Sequence, residues 1–248
     1  MDSRSAPGHI VRMSLAVIIQ NYRRPQNIGR IVSAAREALP DTDIFLLDQA
    51  DEDLRVRDDI AWSEVWFQRA EVNRGAGARV PITASLPFDL YIAIDDDTFL
   101  TPPQIRRLAE LLQAEPDRVH GIWGQRLELD DGRLSIRSDI TQVDAPLSVI
   151  NLAYAYSREQ AAAAMALATR LGFPAWPDLD PIDDVLLSCA SLKPPLCHNL
   201  GPTEHCPTSV MPGIATWKLA DFSERRLEIA QKLLAIGSIA LFSPMVIT

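Results

Sequence analysis

Three consecutive aspartates, Asp95, Asp96 and Asp97, end the apolar run in the stretch YIAIDDDTFL at residues 91–100. Like charges this close repel, and burying them without partners either raises the free energy or moves their pKa values. Either the three fan out into water as a turn, or something positive sits among them. On an extended chain Asp95 and Asp97 point to one side and Asp96 to the other. Two carboxylates can then converge on a hard divalent cation or on its water shell. The plainer reading is a solvated acidic turn that caps the following helix. A second acidic pair, Asp183 and Asp184, opens the stretch DDVLLS. Asp183 reads as a helix N-cap, which leaves Asp184 unexplained, just ahead of an apolar segment.

Groups that could answer these charges are spread along the chain. The stretch QNYRRP at residues 20–25 brings Gln20, Tyr22 and Arg24 to the end of the first apolar run. Asp48, with Gln49 beside it, ends the second. The segment NRGAGAR at residues 73–79 carries Asn73, Arg74 and Arg79 on a glycine-bearing loop. Backbone and guanidinium could both approach a diphosphate closely there, although the segment also reads as a plain loop.

Rival metal patterns fit less well. Phosphotransferases of the haloacid-dehalogenase type want Thr or Val two positions past the second aspartate, where this chain has Phe99. An EF-hand loop needs a glycine and a terminal glutamate that are missing here. The stretch CHNLGPTEHC offers Cys197, His198, His205 and Cys206 as soft ligands for zinc, but without the usual spacing inside each pair. Cys197 reads better as the end of a buried strand, with His198 or His205 near the carboxylates and His205 a candidate metal ligand.

The elements that must position these residues can be read from apolar spacing. Residues 14–20, 43–48, 64–68 and 89–94 read as strands, the early ones apolar throughout as in a sheet covered on both faces. Between and after them lie helices: residues 25–39 with Ile28, Ile31, Val32, Ala35 and Leu39 in phase, one after NRGAGARV, and one capped by Thr101. This alternation predicts βαβ units and a mainly parallel α/β sheet. Further on, GIWGQRLEL and RLSIR read as a hairpin about an Asp-Gly turn. Ser157 with Gln160 starts an alanine-rich helix ending near Gly172, FPAWPDLDPID is a proline-rich loop, and residues 223–235 form a last amphipathic helix. No internal repeat or linker interrupts the pattern, so a single domain is expected over residues 14–248, after a tail at residues 1–13. Its two halves would be residues 14–100 and, with the C-terminal helix, 101–248.

The chain has 248 residues and a formal net charge of −9. That balance argues against a general nucleic-acid binder, which needs a basic face. The N-terminus lacks an apolar core like that of a signal peptide, no run is long enough for a transmembrane helix, and three cysteines make no disulfide framework. A cytoplasmic protein is expected, with peripheral membrane association and homo-oligomerisation left open.

Taken in order, these stretches resemble a glycosyltransferase of the GT-A fold, and more narrowly the exostosin-like hexosaminyltransferases. The first-strand motif of that family is matched by Gln20-Asn21-Tyr22-Arg23-Arg24, its Asn-Arg with a further arginine by Asn73-Arg74 and Arg79, and its Asp-Asp-Asp-Thr by Asp95 to Thr98. Pro116-Asp117 is similar too. Asp183-Asp184-Val185 matches its helix-opening Asp-Asp-Ile, and Gly213, Trp217 and Arg226 match a Gly…Trp segment with a later arginine. The likeness runs over roughly residues 15–235. It departs from the family at Leu47-Asp48-Gln49, where an aspartate is more like the broad inverting family. The stem and anchor of the animal enzymes have no counterpart, which fits a bacterial, soluble relative.

The resemblance implies a UDP-sugar donor, with residues 14–100 as the nucleotide-binding half, and a glycan or small-molecule acceptor, with residues 101–248 as the acceptor-binding half and C-terminal helix. It implies Mn2+ (or Mg2+) held chiefly by Asp97, with Asp95 and His205 as further candidates, and donor contacts from Gln20, Tyr22, Arg24, Asp48, Asn73, Arg74, Arg79, Asp95, Asp96 and Trp217. Asp184 would sit near the anomeric carbon and Arg226 would face the leaving diphosphate, with Arg225 close enough in phase to replace it. Retention of configuration is implied. An inverting enzyme with Asp184 as general base, or a non-catalytic nucleotide-sugar binder, are the alternatives.

Overall fold

The computed structural model describes residues 13–51, 65–131, 133–173 and 182–240. Residues 174–181 of the proline-rich loop, residues 1–12 of the expected tail, Glu64 of the expected third strand, Gly132 of the hairpin turn and residues 241–248 of the expected domain lie outside them. Four strands, β1 (Leu15–Asn21), β2 (Asp43–Asp48), β3 (Val65–Arg69) and β4 (Leu90–Asp95), pair in parallel in the order β3-β2-β1-β4. β1 and β4 are apolar along their length because helices cover both faces. On one face, α1 (Pro25–Ala38) buries Ile28, Ile31 and Ala35, and α3 (Pro102–Ala114) buries Ile105, Leu108 and Leu112, against Val17, Ile19, Leu46 and Ile92. On the other, α2 (Arg79–Ser85), α4 (Arg158–Arg170) and α5 (Asp183–Cys189) close over Ile18, Leu47 and Ala93, where Ala161, Ala164 and Ala168 of α4 allow close approach.

The expected helix starts are present. Thr101 and Gln104 form a capping box ahead of α3, as do Ser157 and Gln160 ahead of α4. α4 stops at Arg170, two residues before Gly172, whose φ is +88°. One expected cap is different. Ile182, not Asp183, is the N-cap of α5, and Asp183 is its first helical residue.

The sheet continues beyond β4. The remaining strands are β5 (Thr98–Phe99), β6 (His120–Gly121), β7 (Trp123–Asp130), β8 (Arg133–Thr141), β9 (Ala145–Pro146), β10 (Val149–Ile150), β11 (Ala153–Ser157), β12 (Leu196–Cys197) and β13 (Glu204–His205). β11 pairs antiparallel with β4, and β6, β12 and β9 complete an eight-stranded sheet. β11 is absent from the sequence reading. Its five residues, AYAYS, alternate strictly: Tyr154 and Tyr156 enter one core and Ala153 and Ala155 the other. β7 and β8 form the expected hairpin, which β10 extends. β5 and β13 make a separate ribbon, and α6 (Phe222–Ala235) packs its Ile229 and Leu233 into the core beneath α5.

From β1 the chain builds outward to β2 and β3, then returns to the opposite flank of β1 with β4. The crevice beyond the carboxyl ends of β1 and β4 is therefore a topological switch point, where open α/β sheets place their ligands. Register puts Gln20 beside Asp95 and Asn21 beside Asp48 at that edge.

Candidate functional site

At the switch point each acidic motif meets arginine. β4 ends at Asp95, so strand alternation stops there and the next two aspartates turn back. Arg24, from the entry to α1, donates to Asp96 Oδ1 at 2.5 Å and lies 3.0 Å from Asp97 Oδ2. Asp96 is held further: its Oδ2 accepts from the Tyr22 backbone N–H at 2.6 Å, and its carbonyl accepts from Asn27 Nδ2 at 2.6 Å. Burial pushes its carboxyl up to about 7, against the pull of Arg24 and the Tyr22 N–H. Asp96 and Arg24 thus form a buried brace between β4 and α1. Arg24 also donates to the hydroxyl and carbonyl of Thr208, which ties the 207–210 turn to the site.

Asp97 is placed differently. Burial raises its pKa, the neighbouring Asp95 raises it again, and Arg24 and His205 pull it down. Its carbonyl accepts from the Cys206 N–H at 2.8 Å. His205, opposite Thr98 in the β5–β13 ribbon, lies edge-on to Trp123 with ring centroids 5.1 Å apart.

Arg79, the first residue of α2, joins the two acidic motifs. Its Nη2 donates to Asp95 Oδ1 at 2.7 Å and its Nε lies 3.2 Å from Asp183 Oδ2. Only 4% of Arg79 is exposed. Burial opposes its charge, but Asp95, Tyr154 and Asp183 outweigh it and keep the guanidinium protonated. Tyr154 of β11 donates its hydroxyl to Asp183 at 3.1 Å, and burial holds that phenol well above its usual range, as a neutral donor. Asp183 therefore serves Arg79 and Tyr154, and no cap was needed to explain it.

Asp184 faces α6. Arg226 grips it with both terminal nitrogens, Nη1 to Oδ1 at 2.7 Å and Nη2 to Oδ2 at 2.9 Å, and Asp184 Oδ1 also accepts from the Val185 N–H. Arg226 is 3% exposed and points inward, whereas Arg225 is only partly buried. Of the two, Arg226 is the one paired with Asp184.

The remaining candidates spread around this centre. Asn73 accepts from the Gly75 N–H at 2.8 Å, and Gln49 clamps the same loop by accepting from the Arg74 N–H and donating to the Gly75 carbonyl. Gly75 has φ +65°, a turn that glycine adopts without strain. Gln20 reaches the same carbonyl at 3.5 Å. Arg74 lines a cavity with Phe45, Gln68 and Ile82 on the α2 face of the sheet. Asp48 is fully buried between Asn21, which donates to it at 2.7 Å, and Arg69 at 3.7 Å, so its own oxygens face the frame rather than solvent. Trp217 is half exposed on a surface turn, donates to the Ser209 carbonyl and carries Lys218 over its ring at 3.9 Å. Residues the sequence reading missed are Asn27, Gln125, Tyr154 and Thr208. Of these only Tyr154 left a signal, the Ala/Tyr alternation of β11.

Among the described residues no group of three or more His, Cys, Asp and Glu side chains gathers to hold a metal. The zinc reading of 197–206 does not assemble: His198 stacks on His120, Cys197 is buried near the Ile140 carbonyl and Cys206 contacts Thr208. The expected set Asp95, Asp97 and His205 is therefore not gathered as one; the carboxylate oxygens of Asp97 and Asp95 are the hard donor type that Mn2+ or Mg2+ would take. Such ions take one or two carboxylates and fill their other positions with water and phosphate oxygens. No helix of the described residues is long and apolar enough to cross a membrane.

No protein-family model matches the chain, and no curated protein matches it in sequence. Exostosin-like membership therefore gains no support. Solved structures do match. Residues 1–349 of S. aureus TarS superpose with a TM-score of 0.52 at 13% identity, over 77% of this chain and 59% of that one. The same TarS fragment in complex with UDP-GlcNAc gives 0.52 at 14% identity, over 77% and 57%. A longer TarS structure gives 0.50 at 12%, over 77% and 36%. The chain thus spans less than two thirds of these neighbours. At such identities the likeness establishes the fold: a single mixed α/β domain with a mainly parallel, helix-flanked sheet, as the sequence led us to expect.

Proposed function

We propose that the chain is a glycosyltransferase moving a hexose or N-acetylhexosamine from a UDP-linked donor to a hydroxyl of a glycan or small-molecule acceptor, with Mn2+ or Mg2+ beside Asp97. The observation that carries this reading is Arg79. One buried guanidinium ties the strand-end triple to the helix-start pair, so both acidic motifs serve one site at the switch point. The fold shared with TarS, solved with UDP-GlcNAc, supports a nucleotide-sugar donor.

Charge counting agrees with it. Asp95, Asp96, Asp97, Asp183 and Asp184 face Arg24, Arg79 and Arg226, which leaves two negative charges for a divalent cation when all five are ionised and one when Asp96 holds its proton. When bound, that cation would neutralise the diphosphate and assist its departure as a Lewis acid. The chain's own groups do the rest. Arg226, held against Asp184, has a fork that matches phosphate oxygens as well as it matches a carboxylate. Asp184 then stands as a fixed negative charge beside the sugar carbon, where positive charge develops as the leaving group departs. Both Asp184 oxygens are engaged by Arg226, which favours this electrostatic role, and retention, over proton removal from the acceptor.

Calorimetry with UDP, with and without Mn2+, tests the donor assignment; absence of binding in both conditions sinks it. A panel of UDP-sugars then separates enzyme from binder: turnover that disappears with Asp97→Ala and with Asp184→Asn identifies the transferase. The anomeric proton of the product, read by NMR, distinguishes retention from inversion.

A further inference from the structure

We infer that Gln125, which lies outside both acidic motifs and their three arginines, is a positioning residue that sets the plane of the Arg226 guanidinium against Asp184. The inference rests on the reading of that pair as the reacting centre of a sugar transfer. Gln125 is 6% exposed, and both ends of its amide are used. Its Oε1 accepts from Arg226 Nη2 at 2.7 Å and its Nε2 donates to Ser138 Oγ at 3.2 Å. Arginine has only donors, so the carbonyl end of the amide must face it, and the hydroxyl of Ser138 takes the other end. Arg226 Nη2 is thereby shared between Gln125 and Asp184. Phe222 supports the guanidinium from its own helix, 5.1 Å from the ring centroid.

The local backbone is irregular in the way that such aiming requires. Gly124 pairs with Ile140 and Arg126 with Arg137, so two residues of β8, Ser138 and Asp139, lie opposite the single Gln125 of β7. Asp139 has φ +61°, a conformation uncommon for a residue with a side chain. A bulge of this kind re-aims a side chain, and bulges gather next to active sites. Gly124 is part of the device. A Cβ there would lie 2.3 Å from the Val149 carbonyl oxygen, so only glycine lets β7 lie this close to β10. The Ser148 N–H in turn donates to the Gln125 carbonyl at 3.0 Å. Gln125 is held at its backbone on one flank and at its amide on the other, with one free choice left: the acceptor it presents to Arg226.

The test compares Gln125→Ala, Gln125→Glu and Ser138→Ala with the wild-type chain in donor turnover under Mn2+, with kcat and donor KM measured on protein checked for folding by circular dichroism. Gln125→Ala should lower kcat about 10–100-fold, the usual scale for losing an outer partner of a reacting group, with donor KM held within about threefold. Gln125→Glu, which keeps an acceptor oxygen for Arg226, should recover most of that loss. A packing role predicts the reverse, because a carboxylate at a buried packing position is a worse substitution than alanine. Ser138→Ala should lower kcat by less than Gln125→Ala, and it decides the matter should the alanine variant not fold. An active wild-type chain with unchanged kcat in Gln125→Ala, or with Gln125→Glu no better than Gln125→Ala, overturns the positioning role and leaves the transferase standing. A wild-type chain that turns over no UDP-sugar overturns both.

Discussion

Asp96 and Asp184 are both buried carboxylates gripped by an arginine, yet the fold treats them in opposite ways. Asp96 is anchored by residues close together in the chain: Arg24, the Tyr22 N–H and, through its carbonyl, Asn27. Several independent donors make it a brace, and a ligand would have to dismantle the entry to α1 to reach it. Asp184 takes its one side-chain partner from the last helix of the described chain, an arginine whose fork also fits phosphate. Carboxylates with many fixed partners hold the frame; one with a single exchangeable partner is available for chemistry. Asp95 and Asp183 stand between these cases, each tied to Arg79.

The strongest way to break this comparison is to remove the group common to both regions. Arg79→Ala leaves Asp95 and Asp183 facing each other's surroundings without their cation. Removing one partner of a buried pair costs about 3–5 kcal/mol, so the urea midpoint should fall steeply. Arg79→Lys, which keeps the charge but not the two-ended reach, should recover part of it. An Arg79→Ala protein as stable as wild type would mean that the two motifs are not joined as described.

Within the second region, Asp184→Asn and Arg226→Lys should each lower donor turnover about 100- to 1,000-fold, the scale of losing one preorganised charge at a reacting centre. The double variant should be little worse than either single one, because the pair acts as a unit. Additive losses would show that the two groups work separately.

The first region predicts a split instead. Asp96→Ala takes from the buried Arg24 guanidinium the shorter of its two carboxylate contacts and should destabilise the fold by about 3 kcal/mol. Asp97→Ala should leave most of the stability and abolish the Mn2+ dependence of UDP binding. Calorimetry and urea denaturation on the same two proteins check this. Equal losses of stability would erase the distinction between brace and ligand.

How much of this could be read from the chain follows the same division. The parallel strands were legible because each is a short apolar run flanked by caps and turn residues, and the triple was conspicuous because its neighbours are apolar. Asp184 was legible because an acidic residue ahead of VLL has no structural excuse. What stayed hidden depends on long-range pairing. Nothing local marks Gln125, since its role comes from a bulge set by the register of β7 on β8. β11 was missed because AYAYS is five residues long and merges into the capping box of α4. The N-cap role expected of Asp183 failed because propensity for caps was outweighed by a tertiary partner, Arg79, from α2. Asp48 looked like a ligand because it ends a strand at the right edge, and only the pairing with Asn21 reveals it as part of the frame.

The mildest prediction concerns the sheet beyond β11, where buried His120 and partly buried His198 stand in place of paired charges. His120 donates from one ring nitrogen to the Glu115 carbonyl at 3.0 Å and accepts from His198 Nε2 at 3.0 Å through the other, with the rings stacked. That arrangement needs His120 neutral, because its second ring nitrogen must accept. Burial, then His120, bring His198 down from 6.5 to about 4, partly opposed by Asp144, and burial lowers His120 as well. The unfolded chain takes up a proton near 6.5 while the folded chain resists until about 4. Protonation therefore favours unfolding across that window: the stability is fully present above about 6.5 and is lost as the pH falls toward 4. His198→Phe keeps a ring for the stack and removes the titrating group, so its urea midpoint should fall less on acidification than that of wild type, even if it begins lower. An identical slope in the two proteins would show that the histidine pair carries no protonation linkage. The acid sensitivity of the fold would then belong to the carboxylate–arginine pairs at the other end of the sheet.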